Sequence, residues 1–221
     1  MLSSVGPWDM VADGYAKTTM KLFQGYSESA IELAQLTSEN SVLDVACGPG
    51  TLALQAAKIV DSVHAIDFSE KRICLLEKNI QANQVNNIVA ACGDGQNLPY
   101  EDAVFDAAFS MFGLMFFPDR MQGYSEIYRT LKPGGKMIVS SWAPVSQSPA
   151  MQAMFGAVRA IKPELPEPET IVNSLENADF FKNELKISGF RNIELHLVSK
   201  EFPVESIDSF WSHMMEGSAP L

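Results

Sequence analysis

Between Ser41 and Trp142 short apolar runs alternate with longer amphipathic stretches. Ser41–Ala46, Ser62–Asp67, Ile88–Cys92, Val104–Ser110 and Lys136–Trp142 are compact apolar runs closed by Gly, Asp or Asn, and they predict five strands. Thr51–Val60, Ser69–Ala82 and about Asp119–Leu131 carry apolar residues at helical spacing, and Ser69 caps the second of these with Glu70 in its first turn. Strands alternating with helices at this spacing predict right-handed crossovers and a doubly wound, mostly parallel α/β sheet of Rossmann-like type. Ahead of this unit, Trp8–Leu36 reads as two helices with the break near Gly25. Behind it the rhythm changes. Met151–Ile161 is helical, Lys162–Glu169 is an extended Pro/Glu segment, and Leu175–Ser188 is a helix ending at Gly189. Asn192–Lys200 reads as a sixth strand and Ser206–Met215 as a last helix. There is no repeat and no flexible linker, so residues 1–221 read as one domain.

Composition narrows the function classes. The 221 residues are 47% hydrophobic and 19% charged, a globular balance with enough chain for a large core. The net charge of −11 repels phosphate backbones and anionic lipid surfaces, and Lys71-Arg72 is only a pair, so no nucleic acid is expected as partner. The most apolar stretch, Val104–Phe117, is too short to span a membrane and carries Asp106. The N-terminus lacks the basic start and apolar core of a secretion signal, and a cytoplasmic location is expected. Cys47, Cys74 and Cys92 are odd in number and lack metal-ligand spacing, so they are read as free thiols and no metal site is expected. No histidine is placed to activate Cys47 as a nucleophile.

The chemistry concentrates where strands end. In Leu43–Thr51, LDVACGPGT, a carboxylate sits inside the first strand just before Gly48 and Gly50, which allow a tight turn and close approach of a ligand to the backbone. The helix expected from Thr51 would present free N–H groups and partial positive charge to an anion, and Asp44 brings the opposite sign to the same crevice. A zwitterion such as an amino-acid end suits that pair. Asp67, closing the second strand in HAIDFS, is placed to accept from both hydroxyls of a ribose. Asp94, in the glycine turn CGDGQNLPY after the third strand, is placed to accept from an adenine amine. An amino-acid end, a ribose and an adenine together are the parts of S-adenosylmethionine.

Four pieces, VLDVACGPGT, AIDFS, GDGQNLPYEDAVFDAAFSMFGLMFFPD and RTLKPGGKMIVSSW, resemble in order those of class I S-adenosylmethionine-dependent methyltransferases, in the subgroup similar to ubiquinone/menaquinone C-methyltransferases. The resemblance implies that Asp44, Gly48 and Gly50 hold the methionine part, lined by the backbone of Ala46 and Cys47. It implies Asp67 on the ribose, Phe68 over an adenine face, Asp94 with Gly95 on the adenine amine, and Ser110 and Met111 beside the methionine chain. LKPGG would be the tight turn into the fifth strand. On this reading residues 1–40 form a helical lid, 41–142 the cofactor-binding core, and 143–221 an acceptor-side insert with the sixth strand. Tyr15 is the candidate lid residue over cofactor and acceptor, and no catalytic base is identified. Phe112, Phe116 and Phe117 follow the fourth strand, where an acceptor pocket should open. The function implied is methyl transfer to a small apolar or aromatic molecule, with a cofactor-binding module lacking catalysis as the alternative.

Other readings of the same residues stay open at this level. GPGTLA also matches a dinucleotide pattern, although Asp44 has no partner in NAD. Asp44 can be a buried acid capping turn amides, Asp67 an N-cap, and Asp94 an ordinary Asp-Gly turn. The family's sheet ends on an antiparallel strand for which this chain shows no counterpart. The fifth strand is therefore expected to expose an edge, open to a partner chain.

Overall fold

The computed structural model describes residues 4–165, 175–203 and 205–217. Its centre is a five-stranded, all-parallel sheet of β1 (Ser41–Val45), β2 (Ser62–Asp67), β3 (Ile88–Cys92), β4 (Phe105–Met111) and β5 (Leu131–Ser140), in the order β3-β2-β1-β4-β5. β1 is central: Leu43 stands opposite His64 on one side and Ala108 on the other. The period-two pattern decides which side chain enters which layer. Val42, Val63, Ala65, Ala107 and Phe109 face one core, closed by α2 (Met20–Ala34), α3 (Ala53–Ala56) and α4 (Glu70–Ala82). Leu43, Val45, Ile66 and Ala108 face the other, closed by α5 (Arg120–Thr130) and α7 (Ala178–Ile187). With both faces covered, strands become continuous apolar runs, which is why β1 reads as one.

The caps follow local chemistry. Ser69 accepts from the Arg72 amide at the start of α4, and Asp119 accepts from the Gln122 amide at the start of α5. Arg120 clamps Glu184 through two parallel hydrogen bonds, Nε to Oε2 at 2.7 Å and Nη2 to Oε1 at 2.8 Å, tying α5 to α7.

Several expectations are corrected. The N-terminal helices do not break at Gly25. α1 (Val5–Gly14) passes through a π-helical turn, Tyr15–Thr19, directly into α2, and Gly25 lies inside α2. A Cβ at Gly25 would stand 3.2 Å from the Lys200 side chain, so the glycine serves close passage of another segment rather than a break. The irregularity falls instead at Tyr15–Thr19, where the Thr18 hydroxyl bonds the Gly14 carbonyl at 2.8 Å and α8 (Ile207–Gly217) packs across the turn. The stretch Thr51–Val60 is regular helix only over Ala53–Ala56, with looser turns on either side.

Asn192–Lys200 is not a strand. A strand exists through its ladder, and this segment has none among the described residues. Asn192 turns the chain at φ 55°, and the segment then runs against α2, where Phe202 meets Tyr26 at 6.3 Å. β5 begins already at Leu131, with LKPGG absorbed by a register shift between Phe105 and Ala107 of β4 rather than preceding the strand. The outer edge of β5 carries no ladder among the described residues. α6 spans Pro149–Ile161. The Pro/Glu segment from Pro166 onward and the chain beyond Gly217 lie outside the described residues. Among those described, no helix is long and apolar enough to cross a membrane.

Candidate cofactor and acceptor site

Strand order reverses between β1 and β4, and open parallel sheets bind ligands beyond the carboxyl ends at that point. The topology brings the sequence-selected residues to this one edge of the sheet. Asp44, Ala46, Cys47, Gly48 and Gly50 come from the end of β1 and its loop, and Asp67 and Phe68 from β2. Asp94 and Gly95 follow β3, while Ser110 and Met111 close β4. The backbone is strained on both sides of the reversal: Ala46 at φ 59° and Phe112 at φ 55° are left-handed without being glycine. Such positions cost on the order of 1–3 kcal/mol each and persist where packing over-determines them. Gly50, at φ 94°, has no such cost, and a Cβ there would run into the Leu76 side chain.

Asp44 is 1% exposed, and its Oδ2 has no hydrogen-bond partner among the described residues. Burial first, and then the charge of Asp67, push its pKa up to about 8, against a backbone hydrogen bond from Ala53. Ser110 Oγ, fully buried across the reversal on β4, is likewise without a partner among the described residues. Asp67 is 3% exposed; its Oδ2 accepts from the Gly48 amide at 2.8 Å and its Oδ1 from the Ser69 amide at 3.0 Å. Burial raises its pKa, opposed by the nearby Arg72 charge and by those two amides. Each oxygen retains a further lone pair for a hydroxyl donor.

The remaining predicted residues are placed as follows. Phe68 is 40% exposed and leaves its ring open to stacking. Asp94 is exposed and accepts from the Gln96 amide at 2.9 Å and from Gln96 Nε2 at 3.1 Å, so it caps its own turn, the alternative weighed for it above. Gly95 is buried against Phe117 and Val45. Cys47 is buried, its thiol pushed well up by burial and by Asp67 and Asp44; it remains protonated and lines the loop.

The helix expected from Thr51 is less regular than its sequence implies: α3 is a single turn within looser hydrogen-bonded turns from Gly50 to Val60, which weakens any summed dipole. Two of the loop amides ahead of it are used, Gly48 N–H by Asp67 and Gly50 N–H by the Cys47 carbonyl at 3.1 Å.

The sequence reading missed how α1 closes over this edge. Asp9 accepts from the Ser69 hydroxyl, Lys71 donates to the Asp9 carbonyl at 2.9 Å, and Lys71 pairs with Asp13 at 3.0 Å. Arg72, read only as half of a basic pair, is 7% exposed, with its guanidinium 5.0 Å from the Trp8 ring centre and 4.6 Å from that of Tyr15. Tyr15 thus stands at the crevice. Burial is the first cause raising its pKa, which keeps it a phenol at neutral pH.

On the β4–β5 side lies an aromatic cluster. Phe112 sits 4.8 Å from Phe23, 4.6 Å from Trp142 and 5.5 Å from Tyr26. Of the predicted aromatic run only Phe112 joins it; Phe116 packs on Trp8 at 4.8 Å and Phe117 belongs to the core. Phe23 and Tyr26 were legible as an i, i+3 pair on one helix face, and Trp142 as the residue just past the fifth strand.

The donor set fits S-adenosylmethionine. Orphaned buried oxygens on Asp44 and Ser110 flank the strand reversal, Asp67 keeps lone pairs for hydroxyls, and Phe68 offers a stacking face. Comparison with known proteins agrees. Residues 42–135 match the family described as a methyltransferase domain. The chain is 35% identical over 137 residues to the demethylmenaquinone methyltransferase of Deinococcus radiodurans, covering 61% of this chain and 54% of that protein. It is 29% identical over 214 residues to the ubiquinone/menaquinone biosynthesis C-methyltransferase UbiE of Geotalea daltonii, covering 86% and 88%. The chain spans about half the length of the first curated relatives it matches. A solved structure of a putative S-adenosyl-L-methionine-dependent methyltransferase from Methanococcus maripaludis superposes with a TM-score of 0.64 at 27% identity, covering 90% of each chain. The unit that carries the crevice thus matches a methyltransferase domain, and the chain is similar in sequence and fold to S-adenosylmethionine-dependent methyltransferases of the UbiE-like type.

Proposed function

We propose that this protein transfers a methyl group from S-adenosylmethionine to a small, flat, apolar or aromatic acceptor. The observation that carries the reading is the junction of two surfaces at one strand reversal: a buried acidic crevice on the β1–β2 side and an aromatic wall on the β4–β5 side. When bound, the cofactor supplies a methyl carbon already activated by its sulfonium. Asp44 receives the ammonium, Asp67 the ribose hydroxyls, Phe68 one face of the adenine, and the Asp94–Gly95 turn its amine edge. Ala46, Cys47, Gly48 and Gly50 give backbone approach to the methionine part, and Ser110 and Met111 flank its chain. Phe112, Phe23 and Trp142 form the face on which a flat acceptor lies, and Tyr15 closes over both.

Displacement at an activated carbon needs mainly alignment and exclusion of water, and alignment alone can account for ~7–11 kcal/mol of barrier. The closed α1 and the aromatic wall supply both. Demethylmenaquinone, named by the curated relatives, is an acceptor of the proposed chemistry. The test is transfer of labelled methyl to demethylmenaquinone and to a small-molecule cell extract, with calorimetry of S-adenosylmethionine, S-adenosylhomocysteine and NAD alongside. Labelled product together with binding of the first two supports the reading. Binding without product would leave a cofactor-binding module, and binding of NAD alone would overturn the assignment of the crevice.

A further inference from the structure

Arg72 is a buried cation at the crevice, packed on two rings at once. Trp8 and Tyr15 are seven residues apart, about 10.5 Å along a helix, a spacing that admits one guanidinium between their rings. Rings on the faces leave the edges of a guanidinium for hydrogen bonds, because its N–H groups lie in the plane. On Arg72 the atoms Nε and Nη2 are buried and have no partner among the described residues. Those two donors are parallel and form the side-on fork that grips a carboxylate. The same fork, on Arg120, makes both bonds to Glu184 elsewhere in this protein. Leaving such donors buried and unmatched is costly, and a ligand carboxylate would satisfy both.

The position of the guanidinium says which carboxylate. It stands beside Asp67, and its Nη1 lies 3.2 Å from where a Cβ on Gly48 would be. That is the glycine turn proposed above to approach the methionine part of the cofactor, on the β1–β2 side, while Tyr15 reaches on to Phe23 of the aromatic wall at 6.0 Å. At that turn the Gly48 and Gly50 amides are occupied, so the unmatched Arg72 fork is a charged donor at hand for an amino-acid carboxylate.

We infer that Arg72, packed on Trp8 and Tyr15, binds the carboxylate of the cofactor's methionine end through its Nε and Nη2, while Asp44 takes the ammonium. The inference rests on the cofactor reading above. It makes Arg72 a specificity residue for the amino-acid end and couples closure of α1 to that end's arrival.

The test is calorimetry of wild type, Arg72→Met and Arg72→Lys with two ligands: S-adenosylhomocysteine and its decarboxylated analogue S-adenosyl-3-thiopropylamine, which keeps adenine, ribose and amine. Wild type is expected to prefer the carboxylate-bearing ligand by about 10- to 100-fold, the range of a charge-assisted bond pair. Arg72→Met should abolish that preference while binding the amine as wild type does, and Arg72→Lys should restore part of it, as a charge without a fork. The inference is overturned if Arg72→Met keeps the full preference, or if it weakens both ligands equally, as loss of a structural clasp would. Retained preference in wild type and variant alike would sink this inference and leave the cofactor reading standing. Failure of wild type to bind S-adenosylhomocysteine at all would sink both.

Discussion

Replacing Asp44 by Asn should make the protein more stable and less able to bind its cofactor, with the gain growing as pH rises. The carboxyl is 1% exposed and titrates at about 8, against an ordinary value of 3.8. Between those values the folded chain retains a proton that the unfolded chain has released. The folded state therefore binds more protons, and stability falls as pH rises, by about 1.4 kcal/mol per unit for a full proton. From pH 5 to pH 7 the contribution of Asp44 is a loss of about 3 kcal/mol, levelling off above pH 8. Asn keeps the shape and carries no titrating proton. Urea unfolding of wild type and variant at pH 5, 6, 7 and 8, followed by tryptophan fluorescence, gives the difference in stability at each pH, and titrating groups remote from Asp44 cancel in that difference. The variant's advantage should widen steadily up to pH 8. A difference that stays flat across the window would show that burial does not hold Asp44 protonated, and the account of its charge would fail.

Other consequences are open to measurement. Because a cationic ligand favours ionised Asp44, affinity for S-adenosylmethionine should rise between pH 6 and pH 8 and then level off; an affinity that falls over that range contradicts the assignment. Asp67→Ala removes the acceptor of the Gly48 and Ser69 amides as well as the ribose contact. It should weaken S-adenosylhomocysteine by about 1–3 kcal/mol and lower the melting temperature together, and an unchanged dissociation constant would end the ribose role. Trp142→Ala should lower kcat/KM for an aromatic acceptor about tenfold or more while cofactor affinity stays within a factor of about two, a split that steady-state kinetics plus calorimetry resolves. Cys47→Ala should leave methyl transfer intact, since its thiol stays protonated; loss of turnover without loss of folding would give it a role denied here.

The fold and the acids that close its strands were legible because their signals are local. β2 and β3 fall where the apolar runs place them, and Ser69 caps its helix as its position demands. The acids at successive strand ends need only the parallel topology to converge on one edge. The misreadings share a cause. The N-terminal break, Arg72 and the sixth strand each depend on a contact with a segment far along the chain: Gly25 on Lys200, Arg72 on Trp8 and Tyr15, and Asn192–Lys200 on a ladder partner not found among the described residues.

What the chain dictates on its own is periodicity and turn chemistry: which residues face a core, where strands must stop, and which acids stand at those stops. Burial pattern and capping act over a few residues, so they survive without knowledge of the rest. Only the packed structure decides that Asp44 is stripped of water, that Asp94 Oδ1 accepts from Gln96, and that Asp9 meets Ser69 across 60 residues to lay α1 over the crevice. Desolvation and long-range contact are properties of what surrounds a group, and a linear order of residues does not contain its surroundings.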